Sequence, residues 1–172
     1  MTLHKQSTGG QDAFVCMRFG DAWLAIPEFE LVQISLQSDV YLKQINAEHS
    51  IPSVRCQNLH VPVYGLDEEF ELDSGDLLEV EDEVRYACVL TSFEQVRSKS
   101  GPVMAMLCDE VEKKAMVNKV QQLPEFMRLP ENFVHGITES EYGEAVFVSN
   151  TFSLAQYLDS ALMAQKSMVA NL

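Results

Sequence analysis

Basic residues are scarce in this chain. Lysine and arginine number 12 against 26 aspartates and glutamates, a formal net charge of -14 over 172 residues. Phosphate backbones and anionic lipid surfaces repel such a chain, which argues against nucleic acid or a membrane surface as its partner. Long apolar runs are also missing. None approaches the roughly 20 residues that span a bilayer. The opening MTLHKQSTGGQD is polar and carries no apolar signal segment, so a cytoplasmic chain without membrane insertion is expected. Paired cysteines are absent too. Cys16, Cys56, Cys88 and Cys108 stand far apart, none in a CxxC motif, and three sit in apolar strand-like runs. They read as reduced, mostly buried thiols.

The motifs of catalysis are missing as well. There is no GxSxG elbow, no Walker loop and no GxGxxG. Gly9-Gly10 lies in the polar lead-in, without the strand and helix that a phosphate cradle needs. His4, His49, His60 and His135 are scattered, and no pair has zinc-ligand spacing. His60 and His135 flank apolar strands and read as structural. No catalytic residue, metal ligand or cofactor is therefore assigned. A cysteine nucleophile beside a distant histidine is the enzyme alternative that sequence leaves open.

What is present is β-patterned. Hydrophobic residues make up 47% of the chain, enough for a packed core. Residues 1–12 read as a disordered lead-in and residues 166–172 as a flexible tail, leaving one folded unit over 13–165. Phe14 to Phe19 and Ala22 to Ile26 alternate as strands around a Gly20-Asp21 hairpin turn, and Pro27 ends the ladder. Trp23, the single tryptophan, reads as core. Leu31 to Leu36 is a further strand, while Gln37 to Ser50 is too mixed to assign. Val61-Pro62-Val63 is a short apolar run whose proline implies an edge or a strand start.

Asp67 to Glu83 holds ten acidic residues and no basic one. It reads as a solvated loop, with a docking patch for a basic partner as the sharper alternative. The EF-hand order is absent, which ranks a metal site last. Val84 to Phe93 and Val103 to Cys108 are strand candidates, with a breaker-rich loop between them, and Ala115 to Val120 extends the sheet. Pro124 and Pro130 bracket a short turn. Val134 to Thr138 and Ala145 to Val148 pair around a glycine turn. Ser153 and Gln156 fit a capping box for a C-terminal helix with Leu154, Tyr157, Leu158, Ala161 and Leu162 as its packing stripe. Many short strands and few helices point to barrels or a sandwich.

The order of motifs resembles the CheW family. FVCMRFGDAWLAIPEFELVQIS resembles its opening, with Ala25-Ile26-Pro27 at the family's Ala-Ile-Pro. VPVYGLDEEF resembles its Ile-Pro-Val-Ile-Asp-Leu segment through Val61, Pro62, Val63, Leu66 and Phe70. Asp109-Glu110-Val111 matches the Asp-Glu-Val that follows an apolar strand, and FVHGITESEYGEAVFVSNTFSLAQYL resembles the closing pattern. The resemblance covers roughly residues 13–158. It implies a mostly β fold: two small SH3-like five-stranded β-barrels sharing a core, with a short C-terminal helix.

The resemblance also implies a non-catalytic adaptor. Its partners would be the regulatory domain of a CheA-type histidine kinase and methyl-accepting chemoreceptors. The family's receptor-facing positions fall on Val54, Gln57, Asn58, Val61 and Val63. Here the chain departs from the pattern. Gln57 stands where the family has an arginine, Asn58 where it has a glycine, and Gly65 where it has an aspartate. Glutamine cannot reproduce the forked donor of arginine, which puts ordinary receptor binding in question. The alternatives are a divergent CheW-like protein of a type IV pilus or twitching pathway, a kinase-binding regulator without receptor contact, and a β-barrel enzyme or small-ligand sensor.

Overall fold

A computed structural model describes residues 13–73, 77–78, 83–92, 101–114, 120–124, 133–141 and 143–170. Twelve strands follow in chain order: β1 (Phe14–Phe19), β2 (Ala22–Pro27), β3 (Leu31–Leu36), β4 (Tyr41–Gln44), β5 (Ser50–Cys56), β6 (Leu59–Gly65), β7 (Tyr86–Leu90), β8 (Met104–Cys108), β9 (Glu110–Lys114), β10 (Gln121–Gln122), β11 (Gly136–Glu139) and β12 (Ala145–Val148). A single helix of the described residues longer than one turn, α1 (Thr151–Ala170), closes the chain. The strands form two six-stranded sheets, ordered β10-β11-β12-β2-β1-β9 and β3-β7-β8-β6-β5-β4.

Local chemistry explains the first hairpin. β1 and β2 pair antiparallel from Phe14 opposite Pro27 to Phe19 opposite Ala22. Gly20 turns the chain at φ +62°, and a Cβ there would stand 2.8 Å from the Cβ of Glu68. Both the backbone angle and the space demand glycine. Period-2 alternation then splits each central strand between two cores. Cys16, Trp23, Ala25, Val146 and Val148 fill the first lobe. Val54, Cys56, Val61, Val63, Ala87, Val89, Ala105 and Leu107 fill the second. Between the lobes, Val15, Met17, Phe19, Leu24 and Ile26 meet Cys88, Leu90, Met104, Met106 and Cys108. Strands buried on both faces need unbroken apolar runs, which is why β8 reads MAMLC. The expected two-lobed β fold with a shared core and a C-terminal helix is the observed one, with six strands in each sheet where the resemblance implied five.

Several local readings are corrected. Gln37 to Ser50, unassigned by pattern, contains a 3-10 turn (Gln37–Asp39) and β4. Pro62 lies inside β6, not at a sheet edge. Its strand pairs with β5 through Pro62 and with β8 only from Val63 onward, so the missing N–H falls where β6 changes partner. The helix starts earlier than the Ser153 reading implied. Asn150 Oδ1 accepts the Ser153 N–H at 2.9 Å, so Asn150 is the cap and Ser153 occupies the third helical position. Buried Glu30 accepts the Thr151 N–H at 2.7 Å, placing a carboxylate at the positive end of the helix. Leu154 and Leu158 pack into the shared core as the stripe predicts. The helix continues through 166–170, across the expected boundary at 165. Residues 1–12, 115–119 and 125–130, with the readings made on them, lie outside the described residues.

Candidate protein–protein interface

The β5–β6 hairpin carries the residues nominated by resemblance. Val54 opposes Val61 across the ladder, and alternation sends Val54, Val61 and Val63 to the same inner side. Each is 2% exposed and packs in the second lobe. Their methyl groups therefore face the core, where they support the hairpin. Gln57 and Asn58 form its exposed two-residue turn at φ 52° and 64°. Both angles are left-handed, the geometry of a type I′ turn. Asparagine tolerates this region, whereas glutamine is strained there by about 1 kcal/mol. A side chain at position 57 thus stands at the tip of a rigid hairpin, free of the core.

A second surface was not singled out by sequence. On β3, Ile34 opposes Cys88 and Leu36 opposes Tyr86, so both point to the side occupied by the shared core. Here that core reaches the surface. Ile34 is 49% exposed and Leu36 47%; Phe29, before β3, and Val84, before β7, are also exposed. Tyr86 and Val111, both partly buried, pack against the shared core, and Phe29 lines an open cleft with Ala13, Phe14, Pro27 and Glu28. The signal was present as Ile-x-Leu alternation on a recognised strand. Sequence does not tell which face of an edge strand is left uncovered.

The Asp-Glu-Val motif makes a polar joint between the lobes. Asp109 accepts the Gly20 N–H at 2.8 Å and pairs with Arg85 at 3.2 Å. Arg18 Nε donates to Glu110 at 3.0 Å, and another guanidinium nitrogen donates to the Gly20 carbonyl at 2.7 Å. These bonds fasten the β1–β2 turn to the β8–β9 corner. The acidic run begins as a well-tied turn. Asp67 Oδ1 accepts the Glu69 and Glu71 N–H groups at 2.9 and 3.0 Å, and the Phe70 ring packs against the core. Most of the run beyond Asp73 lies outside the described residues.

The groups capable of nucleophilic or acid–base chemistry have structural surroundings. All four cysteines are buried, and none is in a disulfide. Cys88 and Cys108 touch at 3.7 Å between sulfurs, and the hydrogen bond with Cys88, followed by burial, holds the proton on Cys108 and pushes its thiol well above the ordinary pKa. A thiol held protonated is a poor nucleophile. His135 Nε2 meets Ser153 Oγ at 2.8 Å beside the helix start. The Trp23 ring is in the first-lobe core, with Nε1 donating to Glu144 at 2.9 Å. Among the described residues no three histidine, cysteine, aspartate or glutamate side chains are grouped to hold a metal ion, and no helix is long and apolar enough to cross a membrane.

No family model and no curated protein matches the chain. A solved structure does: the scaffolding protein TtCheW from Thermoanaerobacter tengcongensis, at 14% identity and a TM-score of 0.57. The match covers 81% of this chain and 88% of that one. The chain has a CheW-like fold.

Proposed function

We propose that this chain is a non-catalytic chemosensory adaptor that couples a CheA-type histidine kinase to methyl-accepting chemoreceptors. The observation that carries the reading is the apolar strip of Ile34 and Leu36 on β3, half-exposed on the side occupied by the shared core. Large apolar side chains left exposed beside a core in this way mark a contact surface. The CheW-like fold supports the same reading, because the solved neighbour is a scaffolding protein. The strip would take the apolar face of one partner, and the Gln57-Asn58 hairpin would touch the receptor without the family's arginine.

The test is a pair of exposed substitutions, Ile34→Asp with Leu36→Asp, in the full chain. Binding to the regulatory domain of the organism's CheA-type kinases and to receptor signalling tips is measured for both proteins. Loss of roughly tenfold or more in affinity for one of them is expected, as for central apolar contacts of an interface. Equal binding by both proteins would remove the strip from the interface.

A further inference from the structure

We infer that the outer face of β4, β5 and β6 docks an acidic segment of a partner protein. These three strands contain no aspartate or glutamate, in a chain that has 26. The cross-strand register fixes what the face presents. Arg55 opposes His60, Tyr41 opposes Ser53 and Ser53 opposes Pro62, and Lys43 opposes Ile51. Alternation puts all of these on the side away from the buried Val54 and Val61; Ser53 itself is buried there, and Tyr41, Ile51 and Pro62 are partly buried. Lys43, Arg55 and His60 are exposed. Neither Lys43 nor Arg55 has an ion-pair partner among the described residues, whereas Arg18, Arg85 and Lys113 are each paired with a carboxylate. Lys43 and Arg55 therefore stand on this one face without a carboxylate partner among the described residues.

The neighbouring groups favour an anion. Tyr41 Oη hydrogen-bonds to His60 Nδ1, and the two rings stand edge to face with centroids 5.8 Å apart. That contact holds the imidazole in place and leaves Nε2 to serve an incoming acceptor. The acids next in sequence, Asp39 and Glu48, stand outside the strands on either side of β4. Register places Arg55 and Lys43 four residues apart along the strand direction, roughly 13 Å. An extended segment with carboxylates at positions i and i+4 on one face spans that distance.

Charge selects the occupant. Nucleic acid and lipid surfaces extend far beyond the patch and meet the full -14 of the molecule, while a short peptide segment meets only the local face. At physiological ionic strength screening acts over about 8 Å, so the contact follows the local charge. This inference rests on the cations of the β4–β6 face, not on the β3 strip or on the Gln57-Asn58 turn by which the adaptor reading is argued.

The test uses the full chain, a fluorescent oligo-glutamate peptide, and anisotropy at moderate salt. Saturable binding is expected, weakened at least tenfold in Lys43→Gln with Arg55→Gln and retained in Lys43→Arg with Arg55→Lys. Both cations are exposed, so unchanged circular dichroism in each variant is expected. Absence of saturable binding, or equal binding by the glutamine variant, would overturn the inference. So would tighter binding to phosphatidylserine vesicles or single-stranded DNA that is lost in the same variant.

Discussion

Phe70 holds the start of the acidic run to the core, and its backbone makes a sharp prediction. Its ring stands edge to face with Phe19 at 6.2 Å, Phe133 at 5.7 Å and Phe147 at 5.5 Å. Its φ is +61°, unusual for any residue with a Cβ. Phe70→Ala removes the ring from three aromatic neighbours. The ring is only partly buried, so the loss belongs at the low end of the phenylalanine-to-alanine range, about 3 kcal/mol. Phe70→Gly removes the same ring but also relieves a left-handed backbone, worth about 1–2 kcal/mol. Against this stands the ordinary glycine penalty of about 0.5–1 kcal/mol. The glycine variant should therefore be as stable as the alanine variant or more so, by up to about 1.5 kcal/mol. Urea denaturation of the three proteins reads both differences. A glycine variant less stable than the alanine variant by the usual penalty would refute the left-handed assignment. An alanine variant within about 1 kcal/mol of wild type would refute the ring's role in the core.

The cap assignment predicts that Asn150→Ala costs about 1 kcal/mol by urea denaturation, while Ser153→Ala costs less because no backbone donor depends on it. Gln57→Gly should be neutral or stabilising by up to about 1 kcal/mol in the same assay, since glycine meets no penalty at φ 52°. All four thiols should react with a thiol reagent only as fast as the protein opens, and quickly once it is unfolded in urea. Burial raises the pKa of Cys56, Tyr64 and Tyr157, and the Cys88 bond raises that of Cys108. The folded protein therefore keeps these protons longer than the unfolded chain. The contribution is fully present below the ordinary thiol and phenol values and fades as pH rises through about 9 and beyond. Thermal melts should fall in that window, and a flat profile between pH 8 and 10.5 would contradict the assignment.

The fold was legible where a strand has one clear environment. β1, β2, β3 and the β11–β12 pair follow from alternation and from turn residues such as Gly20. β4 escaped notice because its four residues, Tyr-Leu-Lys-Gln, sit at a sheet edge with little to bury. Pro62 misled because proline forbids a ladder bond on one side only, and β6 is open on that side at that residue. The helix cap was misread because Ser153 and Asn150 both carry cap-forming side chains, and only the observed bond separates them. The candidate site was less legible for a physical reason. Val54, Val61 and Val63 occupy motif positions, but motif position carries no information on which face of a strand is covered. The Ile34 and Leu36 strip depends on where the first lobe ends, a long-range fact absent from the local pattern.

The measurement that bears most directly on the adaptor reading is calorimetric titration of this chain into the regulatory domain of each CheA-type kinase of its organism. Micromolar or tighter binding to one of them, at one-to-one stoichiometry and weakened by Ile34→Asp with Leu36→Asp, is predicted. No detectable heat with any of them would contradict the kinase half of the account and leave a CheW-like fold that serves another partner.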